Sequence, residues 1–204
     1  MRSPSVIYLL VVCLCVCSAP LHAGGPEIAP FLGFQFGGEF EDSATGQRYD
    51  IGSSSAAEAL FTIDLSDINQ LEFYFSRQET EVEGGGLFPT ETLFDLDIDY
   101  YHIGGTLLMQ EGPWQPFVVS SLGATHLSPE PSSVDSLTRL SLDLGGGLRY
   151  LPNEHLGLYL AGRGFLTFID SQTHITVRSG STTIQMTTDG LWQGILQAGL
   201  IFRF

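Results

Sequence analysis

From residue 29 to the end of the chain, apolar and polar residues alternate with a period of two. The alternation runs in segments of roughly ten or more residues, separated by polar or Gly/Pro turns. Successive side chains of a β-strand point to opposite faces, so this period predicts strands with one apolar face. Apart from the first residues, no apolar run approaches the ~20 residues that a membrane-spanning helix needs. A chain of this kind can enter a membrane only with strands.

Eight such segments are predicted. They run over residues 30–41, 53–65, 70–81, 92–110, 115–126, 137–150, 156–169 and 192–204. In the fourth segment the apolar residues change face between Tyr100 and Ile103, so we expect a bulge or a change of environment there. The fifth segment is apolar on both faces, and for these two segments the pattern leaves the lipid-facing side undecided.

The connections between the segments alternate in length. Short ones lie near 66–68, 111–113 and 152–154, and long ones span 42–52, 82–91, 127–136 and 170–191. A barrel with tight turns at one rim and long loops at the other has this arrangement. The sequence therefore predicts an all-β fold, an eight-stranded antiparallel up-and-down transmembrane β-barrel. A two-sheet sandwich is the alternative, but its strands average about five or six residues and its loops need not alternate.

The N-terminal residues 1–23 have the pattern of a cleavable signal peptide. Arg2 gives a positive start, residues 6–16 form a short apolar core, and Ala23 ends a small-residue cleavage site. We therefore expect residues 24–204 to form the barrel domain. A membrane-spanning helix is the alternative for this segment, but its apolar run is too short. All three cysteines lie inside it, so the mature domain would contain no thiol or disulfide.

The remaining chain is strongly acidic. Without Arg2 it has seven arginines and no lysine against 23 acidic residues. This balance argues against a nucleic-acid partner. His102, His155 and His174 stand singly, without the spacing of metal ligands, and no cofactor is indicated.

The chain ends on Phe204, with Phe202, Leu200 and Ala198 at alternate positions before it. This ending resembles the closing strand of bacterial outer-membrane barrels, and the chain length suits the small OmpA, OmpX and OmpW type without a peptidoglycan-binding domain. The resemblance implies a location in the cell outer membrane with both termini in the periplasm. It also implies contact with outer-membrane lipids and lipopolysaccharide. Phe204, Phe202 and Leu200 would then be the assembly signal that the barrel-assembly machinery reads.

Aromatic residues stand near the segment ends, where transmembrane barrels have interfacial belts. Trp114, Tyr150 and Phe204 lie on the side of the short turns. Phe40, Tyr100, Phe168 and Trp192 lie on the other side. We expect all of them to face lipid.

Several charged residues fall on the polar faces of the segments. They are Glu58, Asp64, Glu72, Arg139, Asp143, Arg149, Arg163 and Arg203. An eight-stranded barrel is barely wide enough for its own side chains, and unpaired charge inside it is costly. These residues therefore predict a structural salt-bridge network that fills the lumen. A gated pore is the alternative.

The second long connection and its strand ends are rich in carboxylates. They are Glu79, Glu81, Glu83, Glu91, Asp95, Asp97 and Asp99. Divalent cations such as calcium take oxygen ligands, but the spacing is not that of an EF-hand loop. A hydrated acidic rim is the preferred interpretation, and no metal site is assigned.

No catalytic residue is predicted. His126 and Ser128 resemble the catalytic fragment of outer-membrane lipid A deacylases, but Pro129 stands where that family has Asn. No carboxylate that orients the histidine can be assigned from the sequence. We therefore expect a structural or surface-interaction role carried by the external loops, whose partner is unknown. A narrow pore for small or hydrophobic solutes and a lipid A-modifying enzyme are the alternatives.

Overall fold

The computed structural model describes residues 25–42, 48–84, 92–130, 136–169, 175–179, 182–187 and 190–204, so the expected signal peptide lies outside the described residues. This part of the chain forms twelve β-strands. They are β1 (Glu27–Phe36), β2 (Glu39–Asp42), β3 (Arg48–Ile51), β4 (Ser54–Asp64), β5 (Asn69–Gly84), β6 (Thr92–Leu108), β7 (Trp114–Glu130), β8 (Leu137–Tyr150), β9 (Leu156–Thr167), β10 (Ile175–Ser179), β11 (Thr182–Thr187) and β12 (Leu191–Arg203). The described residues include no helix that is long and apolar enough to cross a membrane.

Eight of the strands close into an antiparallel barrel in the order β1, β4, β5, β6, β7, β8, β9 and β12. The last strand returns to pair with the first, from Glu27 opposite Arg203 to Phe36 opposite Gly194. Closure gives each barrel strand two hydrogen-bonded neighbours, so the barrel wall exposes no strand edge. The predicted fold class is confirmed.

The four short strands lie at the rim that bears the long connections. β3 pairs with the far end of β5, where Ile51 lies opposite Val82, and β2 pairs with β3 and β11. Gly37 and Gly38 separate β1 from β2 with φ angles of 83° and 108°, a backbone conformation that glycine adopts without steric cost. The predicted long connections at 42–52 and 170–191 therefore contain strand pairs as well as loops.

The outward face of the barrel is apolar. Leu32 is 73% exposed and Leu144 is 71% exposed, and every barrel strand places at least one large apolar side chain outward. On β8, for example, Leu142 and Leu144 face outward while Ser141 and Asp143 are buried. The faces predicted for the first three and the last three segments are therefore correct.

Strand β6 corresponds to the fourth predicted segment, whose outward face the sequence left undecided. Its pairing with β7 continues without a shift from Asp95 opposite Glu130 to Leu108 opposite Phe117, so the expected bulge is absent from this pairing. The outward residues change from acidic to apolar between Asp99 and Tyr101. The other alternative, a change of environment along one regular strand, is the correct one.

Five of the seven residues predicted for the aromatic belts lie as expected. Trp114, Phe168, Trp192 and Phe204 are exposed on the outward face, and Tyr150 stacks on Trp114 with ring centroids 4.2 Å apart. Tyr100 is instead fully buried in the lumen, so the prediction for this residue was wrong. The regular register of β6 explains the error, because it places even-numbered residues inward. The side chain of Phe40 lies outside the described residues.

Candidate functional site

The middle of the lumen holds a buried ion cluster around Arg163 of β9. Its Nη1 donates to Glu72 Oε1 at 2.7 Å and to Asp143 Oδ2 at 3.0 Å, and its Nη2 donates to Glu72 Oε2 and to the Tyr159 hydroxyl, each at 3.2 Å. The side chains of the three ionic residues are 0% exposed. The guanidinium also lies 4.5 Å above the centre of the Tyr74 ring. Such paired, charge-assisted hydrogen bonds fix both partners in place.

His102 extends this cluster across the barrel. Its Nδ1 and Nε2 lie 2.8 Å from the hydroxyls of Ser121 and Ser141, and Ser121 donates to Asp143 Oδ2 at 2.8 Å. A serine, a histidine and an aspartate meet here, but Ser121 stands between His102 and Asp143, and both of these side chains are 0% exposed. A substrate would have no access to these two side chains. The sequence assigned nothing to His102; its inward position follows only from the register of β6.

A second ion cluster closes the lumen at the rim of the short turns. Arg149 Nη2 donates to Glu27 Oε2 at 2.5 Å and to Oε1 at 2.7 Å, and Arg203 Nε donates to Glu27 Oε1 at 2.7 Å. Arg149 Nη1 also donates to Gln70. Glu27 was not among the predicted lumenal residues, because the first strand was predicted to begin at residue 30. Continuing the same alternation three residues back would have placed Glu27 on the lumenal face.

The other predicted lumenal residues lie outside these two clusters. Glu58 Oε2 accepts hydrogen bonds from the Tyr74 hydroxyl at 2.8 Å and from the Gln197 amide. Asp64 is half-buried and accepts from Gln70 Nε2 at 2.6 Å. Arg139 lies near the outer end of β8, where its Nη1 donates to the Thr138 carbonyl at 3.0 Å. The structure thus brings five of the eight predicted residues into ion clusters and places three elsewhere.

Toward the outer rim, neutral side chains fill the lumen. The Tyr100 hydroxyl donates to Gln193 Oε1 at 2.6 Å, and Gln193 Nε2 donates to Gln78 Oε1 at 3.3 Å. Beyond this layer the lumen is lined by buried apolar side chains. They include Ile51, Val82, Leu96, Ile98, Leu127 and Leu191. The lumen is therefore occupied by side chains at its inner end, its middle and its outer end.

The acidic strand ends lie on the outer wall. In the pairing of β5 with β6, Glu79 lies opposite Asp97 and Glu81 opposite Asp95. Arg77 contacts Asp97 at 2.6 Å (Nη2 to Oδ2), and its Nε lies 3.9 Å from Asp99. The side chain of Glu83 and the whole of Glu91 lie outside the described residues. Within the described part, no three His, Cys, Asp or Glu side chains are placed to hold a metal ion.

His126 is the residue that the sequence linked to lipid A deacylation. Asp99 lies opposite it in the register of β6 and β7, a neighbour that the sequence could not assign. However, His126 Nδ1 contacts the Thr138 hydroxyl at 2.8 Å, and the ion-pair partner of Asp99 is Arg77. Among the described residues, His126 and Ser128 are therefore not linked to a carboxylate in the manner of a catalytic triad.

Neither family models nor curated proteins give a match to this sequence. Solved structures do resemble it. OprG of Pseudomonas aeruginosa, an outer membrane protein, gives a TM-score of 0.65 at 16% identity over 90% of this chain and 97% of that chain. The outer membrane protein AlkL, solved in lipid bilayers, gives 0.66 at 16% identity over 92% and 93%. Neisserial surface protein A gives 0.58 at 14% identity over 88% and 97%. At such identities the likeness establishes the fold, which is that of small eight-stranded outer-membrane barrels.

Proposed function

We propose that this chain is an integral outer-membrane protein whose filled barrel supports a structural or surface-interaction role of its external strands and loops. The observation that carries the proposal is the Arg163 cluster, whose fully buried ion pairs fill the middle of the lumen. The apolar outward face and the fold shared with outer-membrane barrels support the location. Loops on a rigid scaffold are where binding residues concentrate.

The proposal includes an orientation. The termini and the tight turns would face the periplasm. The four short strands would lie at the rim on the cell exterior, in contact with lipopolysaccharide. Fractionation of cells should recover the protein in the outer membrane in a heat-modifiable form. Protease added to whole cells should cut near residues 43–47 or 85–91, whereas a cut near 152–154 would contradict the orientation.

A closed lumen predicts the behaviour in planar bilayers. The unmodified protein should give no large steady conductance, because side chains occupy the lumen from rim to rim. Arg163→Gln would loosen the central cluster and should raise the rate of brief openings, whereas Arg77→Gln on the outer wall should not. A large open channel in the unmodified protein would show that the lumen is not closed.

A narrow passage for small or hydrophobic solutes is the second candidate. The observation that favours it is the apolar lining at the outer end of the lumen, where Leu127 and Leu191 are among the buried side chains. Uptake of a hydrophobic fluorescent solute into proteoliposomes distinguishes the two roles. Uptake that exceeds that of protein-free vesicles, and that falls in Leu127→Asp, would replace the first proposal with this one.

The proposal assigns no catalysis to the chain. Lipid A from cells that express the protein should have the same mass spectrum as lipid A from cells that lack it. A mass change that disappears in His126→Ala would instead support the lipid A-modifying alternative.

Phe204, Phe202 and Leu200 are proposed as the assembly signal. All three side chains are exposed on the outward face of the closing strand. Phe204→Ser should lower the yield of the heat-modifiable form in cells. Leu156→Ser changes an exposed apolar residue at the same rim and is the matched control. Equal yields for the two variants would argue against a specific terminal signal.

A further inference from the structure

Glu58 differs from the other buried carboxylates of the lumen. The other three each contact an arginine, whereas Glu58 accepts hydrogen bonds only from neutral groups, the Tyr74 hydroxyl and the Gln197 amide. Among the described residues no ion pair includes Glu58, which is 5% exposed. A buried carboxylate without a counter-charge is strongly disfavoured.

The buried charges of the lumen do not balance. The carboxylates are Glu27, Glu58, Glu72 and Asp143. Arg149 and Arg163 are the buried cations, and Arg203 contacts Glu27 from the rim. Even with Arg203 included, the lumen is one positive charge short. Because each of the other carboxylates contacts an arginine, the deficit is at Glu58.

Polar atoms of Glu58 and of two buried glutamines, Gln35 on β1 and Gln197 on β12, also lack partners. Glu58 Oε1, Gln197 Oε1 and both amide atoms of Gln35 are buried and make no hydrogen bond to any described residue. Gln35 is 0% exposed and Gln197 is 1% exposed. Buried polar groups are nearly always hydrogen-bonded in native proteins, so a proton, water or an ion is expected beside these atoms.

Strand register and one glycine bring these side chains to the same place. Gly33 lies opposite Gln197 in the pairing of β1 with β12, and Gln35 follows two residues later on the same inward face. A Cβ atom built on Gly33 would lie 1.9 Å from Glu58 Oε1. The carboxylate and the Ile195 side chain, whose Cδ1 would lie 2.7 Å from the same Cβ atom, therefore share the space that a side chain at position 33 would fill, and Gln197 contacts the carboxylate there.

We propose that Glu58 Oε1 and the side-chain oxygens of Gln35 and Gln197 bind one monovalent metal cation of the alkali class. The alternative is a proton on Glu58 together with water at the amides, and the test below separates the two. A cation supplies the missing charge and satisfies several oxygens at once, and hard cations prefer oxygen ligands. The site is independent of the surface role proposed above.

The test compares thermal unfolding of the full mature protein in lipid vesicles at constant ionic strength, with sodium, potassium or choline as the cation. A ligand that binds only the folded state raises the melting temperature, and we expect a saturable rise of about 3 °C or more with one alkali cation over choline. E58Q removes the charge and should abolish the difference, whereas E79Q, on the outer wall, should keep it.

Q35L removes one proposed ligand without changing the charge, and it should shift the midpoint of the titration to a higher cation concentration. It also serves as the test if E58Q does not fold. Crystals soaked in thallium or rubidium salts should show an anomalous peak beside Glu58. Equal melting temperatures in choline and in both alkali salts would overturn the proposal. An infrared band of a protonated carboxyl that E58Q removes would then assign the charge to a proton.

Discussion

The Arg163 cluster in the lumen and the Arg77 cluster on the outer wall each pair an arginine with two carboxylates, and their shortest contacts are nearly equal. The shortest contact is 2.7 Å for Arg163 with Glu72 and 2.6 Å for Arg77 with Asp97. Their surroundings differ, because both lumenal side chains are 0% exposed, whereas those of Arg77 and Asp97 are 48% and 23% exposed. Water screens the outer pair, and the lumenal pair has no such screening.

This difference determines what each cluster contributes. In the lumen, removal of one partner leaves the others charged and without water, so the members depend on each other. On the wall, Arg77 and Asp97 are solvated whether or not the partner is present. Burial, more than contact distance, therefore determines which ion pairs stabilise the barrel and which can be replaced with little loss of stability.

Replacement of Arg163 should have the largest effect. Arg163→Met leaves Glu72 and Asp143 without a counter-charge and should lower the free energy of unfolding by about 3–5 kcal/mol. Urea titration of the protein in lipid vesicles measures this loss. The triple variant R163M/E72Q/D143N removes the charges together and should recover part of it. A loss in R163M no larger than that in Arg77→Met would show that the two clusters are equivalent.

A charge on the lipid-facing side should have the next largest effect. Leu144→Arg places a guanidinium near the middle of β8 on the outward face and should cost about 2–4 kcal/mol by the same urea titration. Leu156→Arg, at the rim, is the control and should cost at most about 1 kcal/mol. Equal costs at the two positions would mean that the outward face does not lie in a membrane.

A methyl group added inside the barrel should lower the free energy of unfolding more than one added outside. A Cβ on Gly145 would lie 2.6 Å from the Gly162 carbonyl oxygen and 2.8 Å from Arg163 Cγ, whereas a Cβ on Gly105 would meet its nearest atom at 3.8 Å. Gly145→Ala should therefore destabilise the barrel by about 1–3 kcal/mol, and Gly105→Ala should have little effect. If Gly145→Ala unfolds at the same urea concentration as the unmodified protein, the lumen is less tightly packed than the structure indicates.

Removal of the exposed arginine should have the smallest effect. Arg77→Met should leave the urea midpoint nearly unchanged, because the pair is open to water. Any change should shrink as salt is added, since salt screens exposed charges. A large loss that persists at high salt would show that the outer strand ends contribute to stability as the lumen does.

The sequence predicted the barrel and the faces of six strands because alternation is a local property. A run such as 137–150 carries its own face assignment, with Leu142 and Leu144 against Ser141 and Asp143. For β6 the pattern did not decide which face is outward, because the strand passes through two environments. Its outward residues are acidic up to Asp99 and apolar from Tyr101 onward. The short strands in the long connections were missed. β2 with β3 and β10 with β11 are local pairs, but the pairings that attach them to each other and to β5 join residues distant in sequence.

For most of the charged residues a place in the lumen was predictable, but their pairings were not. Alternation alone placed Arg163, Glu72 and Asp143 on inward faces. Which of them meet depends on the stagger between strands that lie across the barrel, and Arg163 and Glu72 are 91 residues apart. No short-range pattern encodes that stagger. For the same reason the sequence could not show that Glu58 lies apart from every arginine pair.

The long strands β5 and β6 make the circumference of the barrel asymmetric. They carry their outward carboxylates on one side of the circumference, at Glu79, Glu81, Asp95 and Asp97, while the opposite wall ends on Phe168 and Trp192. A neighbour that approaches in the plane of the proposed membrane therefore meets a charged flank or an aromatic flank, according to its direction. The barrel therefore has two chemically different flanks as well as an inside and an outside, and its neighbours would be selected by the flank that they meet.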